Sequence, residues 1–459
     1  MRQACTTARL MRHSTVVVVG AGITGIGAAH YLGKRGISYV VLEAASELGG
    51  VWNRHRWHGA RCDSDIVKYS FSFKPMVSDQ CMLDRAEIQA YLRSVAQESG
   101  VLEHIHFATR VTKATFDTHQ CVWHVETNHE AFTAQFLFNG NGYFAERPHV
   151  PSFEGMQQFG GEILHAADLD GDRTFADRDV VVVGSGSTAI SCAPSLAKVS
   201  KSLVLLQRSP SYVFDMHNSS AWLARVLPTA LVRWGLQLKD DLIFVAFRRF
   251  PRVARAFFRR HWESAVGARL ADEHFTPRYN PWEQRIPIAV GLKDAIAQGR
   301  VVMQTATIKR FGRHCIELNN GKSLPCDVCV LATGFNLDFL KFELRVDEKR
   351  IAVDGINCYK GIMMGGIPNY FHPAGVWHSA WTERSERTAQ FAIRIIEHMR
   401  SRGLRSVSIE RRHVEAFTAI QPGYVTRYPN MPRLYGTFEL PSVDNVLSFH
   451  FSPGHFQFS

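Results

Sequence analysis

The chain has 459 residues, of which 46% are hydrophobic, and it carries a net charge of +11. These values are typical of a globular protein of several domains, and the lack of any run of 18 apolar residues argues against a membrane-spanning helix. The nine cysteines are scattered along the sequence, which favours a reducing, cytoplasmic setting over a disulfide-linked fold.

The first 13 residues contain Arg2, Arg9 and Arg12 but no acidic residue. Such a segment is weakly similar to a transit peptide. The preferred interpretation is a disordered leader, with Met11 as a second candidate for the first residue of the protein.

The first predicted unit is a strand, a glycine-rich turn and a helix. An apolar strand at 16–19 leads into Gly20, Gly22 and Gly25, which match G-x-G-x-x-G, and a helical pattern follows at 26–32. Such glycines let the backbone approach a pyrophosphate at the start of the helix. Glu43 follows the next predicted strand, 39–42, and lies 23 residues after Gly20. Its carboxylate suits a free ribose hydroxyl and repels a 2′-phosphate, so FAD or NAD fits this site and NADP does not.

A second unit of the same kind begins 164 residues later. Here the strand at 180–183 leads into a glycine-rich turn, and the next strand, 203–206, ends in Gln207 and Arg208. The guanidinium of Arg208 can form two hydrogen bonds with a phosphate, which indicates an NADPH site. Together the two units predict hydride transfer from NADPH to a flavin. The residues of the second turn assigned to the cofactor are Gly184, Gly186, Ser187 and Thr188.

These units predict an α/β protein with two Rossmann-like dinucleotide-binding domains, one for FAD and one for NADPH. Residues 14–145 form most of the first domain, including a strand of alternating polarity at 121–127. Turn-rich segments at 139–143 and 147–151 lead into the second domain, 150–324, which contains a helical insertion at about 219–270. A segment at 332–335 returns the chain to the first domain. We therefore assign 325–459 to a discontinuous FAD-binding domain.

The basic charge is concentrated in the helical insertion. Six arginines lie among aromatic and aliphatic residues at helical spacing, which predicts a basic amphipathic helix over 244–262. Such a helix can bind an anionic membrane surface. The preferred interpretation is an insertion whose apolar side covers the domain and whose arginines are solvated or paired. No nucleic-acid-binding pattern is present. The arginines are Arg248, Arg249, Arg252, Arg255, Arg259 and Arg260.

Cys326 and Cys329 have the spacing of a redox-active pair, which would suggest a disulfide reductase. The segment leads directly into an apolar run and predicts a strand, where positions three apart point to opposite faces. Redox pairs usually start a helix. The redox interpretation is therefore not preferred.

A segment that precedes the second unit contains four residues that resemble the fingerprint of a known family. Phe159, Gly161, His165 and Asp170 match F-x-G-x-x-x-H-x-x-x-(W)-(P/D) of the class B flavoprotein monooxygenases, which include Baeyer–Villiger and N- or S-oxygenating enzymes. Leu169 stands where Baeyer–Villiger members have tryptophan.

Further segments of the chain are similar to those of the same family. Gly49-Gly50-Val51-Trp52 resembles its flavin-contacting GGxW, and residues 59–63 resemble PGxRCD, with His58 in place of proline. Residues 207–210 resemble its cofactor-specificity segment, and the linker ATG is matched at 332–334. The cofactor residues added from these segments are Gly50, Val51, Trp52, Ala332, Thr333 and Gly334, and Val111 is assigned to the cofactor as well.

The resemblance implies a cycle in which NADPH reduces FAD, O2 adds at flavin C4a, and the peroxyflavin oxygenates a small organic substrate. It implies that Arg285 is the active-site cation and that Asp63 positions it, whereas Arg278 is structural. No metal site is expected, and His55 and His58 are interpreted as packing residues. Baeyer–Villiger oxidation of a ketone is the leading expectation. N- or S-oxygenation and an uncoupled NADPH oxidase or regulatory flavoprotein remain open. The substrate is not identified, and Trp377 and Trp381 are candidates either for lining its pocket or for packing.

Overall fold

The computed structural model describes residues 11–76, 78–80, 82–216, 222–281, 283–284, 286–352, 356–373, 380–409, 433–435 and 456–459. Its helices within these ranges are α1 (Ile23–Lys34), α2 (Val51–Arg54), α3 (Ile66–Tyr69), α4 (Arg85–Glu98), α5 (Ser187–Leu196), α6 (Leu223–Val226), α7 (Thr229–Arg249), α8 (Pro251–Phe275), α9 (Leu292–Ala297) and α10 (Trp381–Arg402).

The strands are mostly short. They are β1 (Met11–Val19), β2 (Tyr39–Leu42), β3 (Ile105–His106), β4 (Val111–Asp117), β5 (Val122–Thr127), β6 (Ala131–Asn139), β7 (Phe144–Pro148), β8 (Glu162–His165), β9 (Phe175–Val183), β10 (Ser200–Gln207), β11 (Phe214–Asp215), β12 (Ile288–Ala289), β13 (Val302–Thr305), β14 (Ile308–Phe311), β15 (Cys315–Leu318), β16 (Ser323–Pro325), β17 (Val328–Leu331), β18 (Phe335–Leu337), β19 (Glu343–Val346), β20 (Lys349–Arg350), β21 (Asn357–Tyr359), β22 (Met363–Met364), β23 (Tyr370–Phe371), β24 (Val407–Ser408), β25 (Arg433–Tyr435) and β26 (Gln457–Phe458).

The first sheet has the order β20-β19-β4-β5-β6-β1-β2-β3, and β23 also pairs with β6. Side chains of β1 alternate between two cores, since Val16 and Val18 pack with α1, α4 and α10, whereas Val17 and Val19 pack towards Trp123. The sheet takes in β19, β20 and β23 from the second half of the chain. Because β1 begins at Met11 and pairs with β6 from its first residue, residues 11–13 of the predicted leader belong to the sheet. Residues 1–10 lie outside the described ranges.

The second sheet is parallel throughout, with the order β13-β10-β9-β17-β8. Its strand β17 pairs with both β8 and β9, although the predicted boundary assigned everything after residue 324 to the first domain. That boundary is wrong by several residues, because β17 completes the centre of the second sheet before the chain leaves at Leu331.

Two antiparallel strands connect the sheets. The turn-rich crossing predicted at 139–151 contains β7, which pairs with β18 immediately after the return segment. The chain therefore passes between the domains twice at one place, and the two passages are hydrogen-bonded to each other.

The helical insertion contacts both domains. Val232 and Leu236 of α7 pack into the core of the first domain, whereas Trp262 and Phe275 of α8 pack into the core of the second. The predicted 219–270 segment thus bridges the domains rather than belonging to the second alone, and its helices continue to Phe275.

The basic segment 244–262 is not one helix. Helix α7 ends at Arg249, Phe250 has φ −127° and ψ 68°, and α8 begins at Pro251. Proline lacks a backbone N–H and disfavours helical geometry in the residue before it, which explains the break. No described helix is long and apolar enough to cross a membrane.

Candidate active site

The first glycine-rich turn holds α1 tightly against β1. A Cβ atom on Gly25 would lie 1.8 Å from the carbonyl oxygen of Gly20, so only glycine fits at this crossing. Helix α1 begins after Gly22 with no side chain capping its free N–H groups. An uncapped helix start of this kind can receive an anionic group.

Glu43 links the end of β2 to this turn. Its carboxylate accepts hydrogen bonds from the backbone N–H of Ala21 at 2.6 Å and of Ala45 at 2.8 Å. The side chain lines the cavity described below, which is where the sequence predicted it for contact with a ribose. The two backbone bonds fix its orientation before any ligand binds.

The segment that contains Gly50, Val51 and Trp52 lines the same side of the cavity. The indole N–H of Trp52 donates to the phenol oxygen of Tyr69 at 2.8 Å. Burial holds the pKa of Tyr69 well above its usual range, so this phenol stays neutral. Tyr69 was not identified from the sequence, since it lies outside every segment matched to the family.

The second glycine-rich turn contacts a loop of the first domain. The hydroxyl of Ser187, at the start of α5, donates to Asp63 Oδ2 at 3.1 Å. A Cβ atom on Gly59 would lie 2.3 Å from the carbonyl oxygen of Ser191 in the same helix. The loop at 59–63 therefore packs directly against the start of α5, and it brings Asp63 to the second nucleotide site.

Arg208 lies at the mouth of the second site. Its side chain is exposed and lines the cavity together with Ser209 and Ser211. Gln207 before it is buried and donates through Nε2 to the carbonyl oxygen of His274 at 2.7 Å. This buried amide anchors the end of β10, so that the next residue projects from a fixed point.

The fingerprint residues do not line the cavity. Phe159 and Gly161 precede the edge strand β8, and His165 ends it next to the return segment. Nδ1 of His165 accepts a hydrogen bond from the backbone N–H of Ala167 at 3.0 Å, and burial lowers the pKa of its ring. Asp170 is exposed in the turn that follows.

Leu169 fills an apolar position. Its side chain is buried in the core of the second domain, at the position where Baeyer–Villiger members of the family have tryptophan. The fingerprint segment here is therefore held by hydrophobic packing at this position.

The segment at 332–335, which returns the chain to the first domain, lines the cavity between the two domains. Thr333 donates through its hydroxyl to the carbonyl oxygen of His149 at 2.5 Å, and the backbone N–H of His149 donates to the carbonyl oxygen of Gly334 at 2.9 Å. These bonds continue the β7–β18 pairing. They join both interdomain passages next to the nucleotide sites.

One cavity of about 1490 Å³ brings the two nucleotide sites together. Gly25 lies behind it, at the crossing of α1 with Gly20. The other predicted cofactor residues and Asp63 all contribute to its wall, and these are Gly20, Gly22, Glu43, Gly50, Val51, Trp52, Asp63, Val111, Gly184, Gly186, Ser187, Thr188, Arg208, Ala332, Thr333 and Gly334.

Several residues of the cavity were missed in the sequence. Lys341 donates through Nζ to the carbonyl oxygen of Asn141 at 2.7 Å, and burial together with the charge of Arg54 lowers its pKa. Trp381, which was considered as a pocket residue, lines the cavity and donates through its indole N–H to Thr24 at 3.0 Å. No local pattern marks Lys341, because only the folding of a later segment places it beside Asn141.

Arg285 lies outside the described residues, as does Trp377. The cavity is lined by Gln284, which precedes Arg285, by Pro287, which follows it by two positions, and by Tyr279. Arg278 is exposed and is not part of the wall. The role of Arg285 stays a prediction.

His55 lines the cavity without a hydrogen-bond partner on either ring nitrogen among the described residues. Burial and the neighbouring charge of Arg54 lower its pKa from 6.5 to about 4. The described residues contain no group of three or more His, Cys, Asp or Glu that could hold a metal. The ring of His55 packs against the aromatic rings of Trp57 and Phe335.

This burial predicts a pH-dependent stability. In the unfolded chain His55 is protonated as the pH falls below 6.5, whereas in the folded chain it is protonated only near pH 4. Folding stability is therefore lost as the pH falls through this window. Replacing His55 by leucine should reduce the loss between about pH 7.5 and about pH 5 by about 2 kcal/mol. Chemical denaturation of both proteins at the two pH values measures this, and parallel losses would contradict it.

Cys326 and Cys329 are both buried in one apolar cluster beneath the second sheet. The argument that they point to opposite faces is wrong, because β17 begins only at Val328 and Cys326 precedes it. Burial raises the pKa of the Cys326 thiol to about 12 and that of Cys329 well above its usual range. Thiols with such pKa values are poor nucleophiles, which disfavours a redox role.

Comparison with known proteins identifies the family. A model of the flavin-binding monooxygenase-like family matches residues 13–367. The chain belongs to this family. This flavin-binding monooxygenase is 33% identical over 444 residues to the FAD-containing monooxygenase EthA of Mycobacterium tuberculosis, covering 91% of the chain and 90% of that protein. The predicted resemblance is confirmed, and the chain is an oxidoreductase.

Solved structures share the fold of this flavin-binding monooxygenase. An oxidized steroid monooxygenase bound to NADP superposes with a TM-score of 0.79 at 24% identity, covering 97% of this chain and 99% of that one. Cyclohexanone monooxygenase from Rhodococcus sp. Phi1 bound to NADP+ gives 0.80 at 20% identity, with 98% and 99% covered. These likenesses confirm the predicted α/β fold with two dinucleotide-binding domains.

Proposed function

We propose that this flavin-binding monooxygenase uses FAD and NADPH to insert one oxygen atom from O2 into a ketone, in a Baeyer–Villiger reaction. The observation that carries the proposal is the cavity shared by the two nucleotide sites, which is lined by both nucleotide turns, by Asp63, and by Gln284 and Pro287 near Arg285 in the sequence. The described residues fit two dinucleotides, because both turns offer uncapped helix starts to anionic groups.

The residues of the chain bind and orient the two nucleotides and shield the reacting atoms from water. Bound FAD supplies the oxygen chemistry and NADPH supplies the reducing equivalents. Glu43, fixed by two backbone N–H groups, suits ribose hydroxyls, and Arg208 suits a 2′-phosphate. Arg285 stabilises negative charge that develops on the reacting oxygen atoms, since a guanidinium stays protonated at any working pH. Asp63, on the loop packed against α5, positions it.

Neutralising Arg208 should remove the preference for NADPH. A charge-assisted hydrogen bond contributes about 1.5 to 3 kcal/mol, so Arg208→Gln is expected to lower the ratio of kcat/KM for NADPH to that for NADH about tenfold or more. Steady-state oxidation of both nucleotides measures the ratio. Arg313→Gln, which removes an exposed arginine outside the cavity wall, is the matched control. An unchanged ratio in Arg208→Gln would reject the assignment.

Product analysis tests the reaction itself. The reduced enzyme is mixed with oxygen while the flavin spectrum is followed, and mass spectrometry then detects a product with one added oxygen atom. A lactone or ester from a ketone supports the proposal. Release of hydrogen peroxide with every ketone, amine and thioether tried would instead assign the chain as an uncoupled oxidase or a regulatory flavoprotein.

N- or S-oxygenation is the second candidate function. Leu169 is buried where Baeyer–Villiger members have tryptophan. Gln284 and Ile286 stand where those members flank the active-site arginine with lysine and proline, and both differences depart from the ketone-oxidising pattern. A thioether and a ketone of matched size, offered in competition, separate the two. Formation of sulfoxide without ester would favour heteroatom oxygenation.

A further inference from the structure

The helical insertion presents a large apolar surface to solvent. Thirteen of the sixteen large apolar side chains that are exposed in the described part of the chain lie between residues 222 and 270. Contiguous exposed apolar surface of this kind usually marks an interaction site, because water solvates it unfavourably.

Five of these side chains form a single stripe on α7. Leu231, Trp234, Leu238, Leu242 and Val245 follow one another at intervals of three or four residues, and each is between 42% and 61% exposed. At 3.6 residues per turn this spacing places them on one face of the helix.

The opposite face of α7 is fixed to the protein. Val232 and Leu236 are buried in the core of the first domain. Arg233 donates through Nη2 to the backbone carbonyl oxygens of Val67 and Ser70, at 3.0 and 2.6 Å. The helix therefore cannot rotate to bury its outer stripe. A helix that is apolar on two opposite faces needs an apolar partner on both.

The turn between α7 and α8 continues the apolar surface. Phe250, Val253 and Phe257 are 55%, 62% and 46% exposed. The ring of Phe257 contacts Phe247 at 5.6 Å between centroids, which packs the second turn of α8 onto the end of α7. Exposed aromatic rings thus extend the surface beyond α7.

Positive charge is concentrated at the end of this surface where α7 meets α8. Residues 222–262 contain nine lysines and arginines but only two acidic residues. The described ion pairs include Arg259, with Glu263 and Asp272. Four arginines take part in none of them, and they are Arg248, Arg249, Arg252 and Arg260.

We propose that the insertion binds the surface of a membrane that contains anionic lipids. The α7 stripe and the aromatic residues of the turn enter the boundary between headgroups and acyl chains, and the four arginines outside the described ion pairs contact the lipid phosphates. An apolar face bordered by basic residues is the composition of interfacial helices, and arginines near an anionic surface add electrostatic attraction. The basic border and the shortage of acids favour a lipid surface over a second copy, whose identical basic border would repel it.

Vesicle sedimentation tests the proposal with the full chain carrying its flavin. The parent protein should bind vesicles of phosphatidylcholine with phosphatidylglycerol at least tenfold more tightly than vesicles of phosphatidylcholine alone, and added salt should weaken binding. The variant Trp234→Ser/Leu238→Ser/Leu242→Ser should lose binding. The variant Arg248→Gln/Arg249→Gln/Arg252→Gln/Arg260→Gln should lose at least tenfold in affinity.

The control variants change exposed apolar and basic residues outside the insertion. Val150→Ser/Val302→Ser alters exposed apolar positions outside the insertion, and Lys309→Gln/Arg313→Gln/Lys349→Gln/Arg350→Gln removes four exposed charges. Both should bind like the parent. Equal binding by all variants, or no binding to anionic vesicles, overturns the proposal. A dimer in sedimentation velocity that the serine variant abolishes, without vesicle binding, would assign the surface to a second copy.

Discussion

Alanine in place of Gly25 is expected to yield a protein that purifies without flavin. The added Cβ would lie 1.8 Å from the carbonyl oxygen of Gly20, far inside van der Waals contact, so α1 must move away from β1. That movement opens the turn and displaces the helix start that faces the pyrophosphate. The flavin-to-protein ratio in the visible absorbance spectrum of the purified variant measures the effect.

Gly235→Ala is the control for this variant. Gly235 lies in α7, and a Cβ there meets nothing within 4 Å, so the same chemical change should leave flavin content as in the parent. Far-UV circular dichroism distinguishes loss of flavin from loss of fold. A folded Gly25→Ala protein with full flavin content would show that the close crossing is not required for binding.

Replacing Arg285 by alanine should separate NADPH oxidation from oxygenation. Removing one preorganised electrostatic donor lowers catalytic rates by about 10²–10³, so product formation should fall by that factor while NADPH is still oxidised and hydrogen peroxide is released. Parallel assays of NADPH, peroxide and oxygenated product measure this uncoupling.

Arg278→Ala is the matched control, because Arg278 lies seven residues earlier in the same segment, is exposed, and is absent from the cavity wall. In this variant NADPH oxidation should remain coupled to formation of the oxygenated product. Full product formation by Arg285→Ala would remove the residue from the mechanism and leave Lys341, the half-buried lysine beside Asn141, as the next candidate.

The nucleotide sites were predictable because their patterns are local. Strand, turn and helix follow one another within about 30 residues, and Gly25 and Glu43 are specified by short-range geometry. Trp52 and Val111 line the cavity as the predicted assignment required. The break at Phe250 was missed, although the following proline disfavours a helix at this position.

Features that depend on distant pairing were not predictable. The place of β17 in the second sheet follows from hydrogen bonds to β8 and β9, and no local signal distinguishes it from a strand of the first domain. The contact of Trp52 with Tyr69 and that of Lys341 with Asn141 likewise require the folded chain. Neither partner residue lies in a segment matched to the family.

Gly59 packs so closely against α5 that the two domains are separated at this point by the hydrogen atoms on its Cα, with no room for a side chain. With the carbonyl oxygen of Ser191 only 2.3 Å from the position of a Cβ, any larger residue acts as a wedge between the halves of the enzyme. Substitutions of increasing size at this one position would therefore widen the separation of the two domains and move Asp63 away from the start of α5.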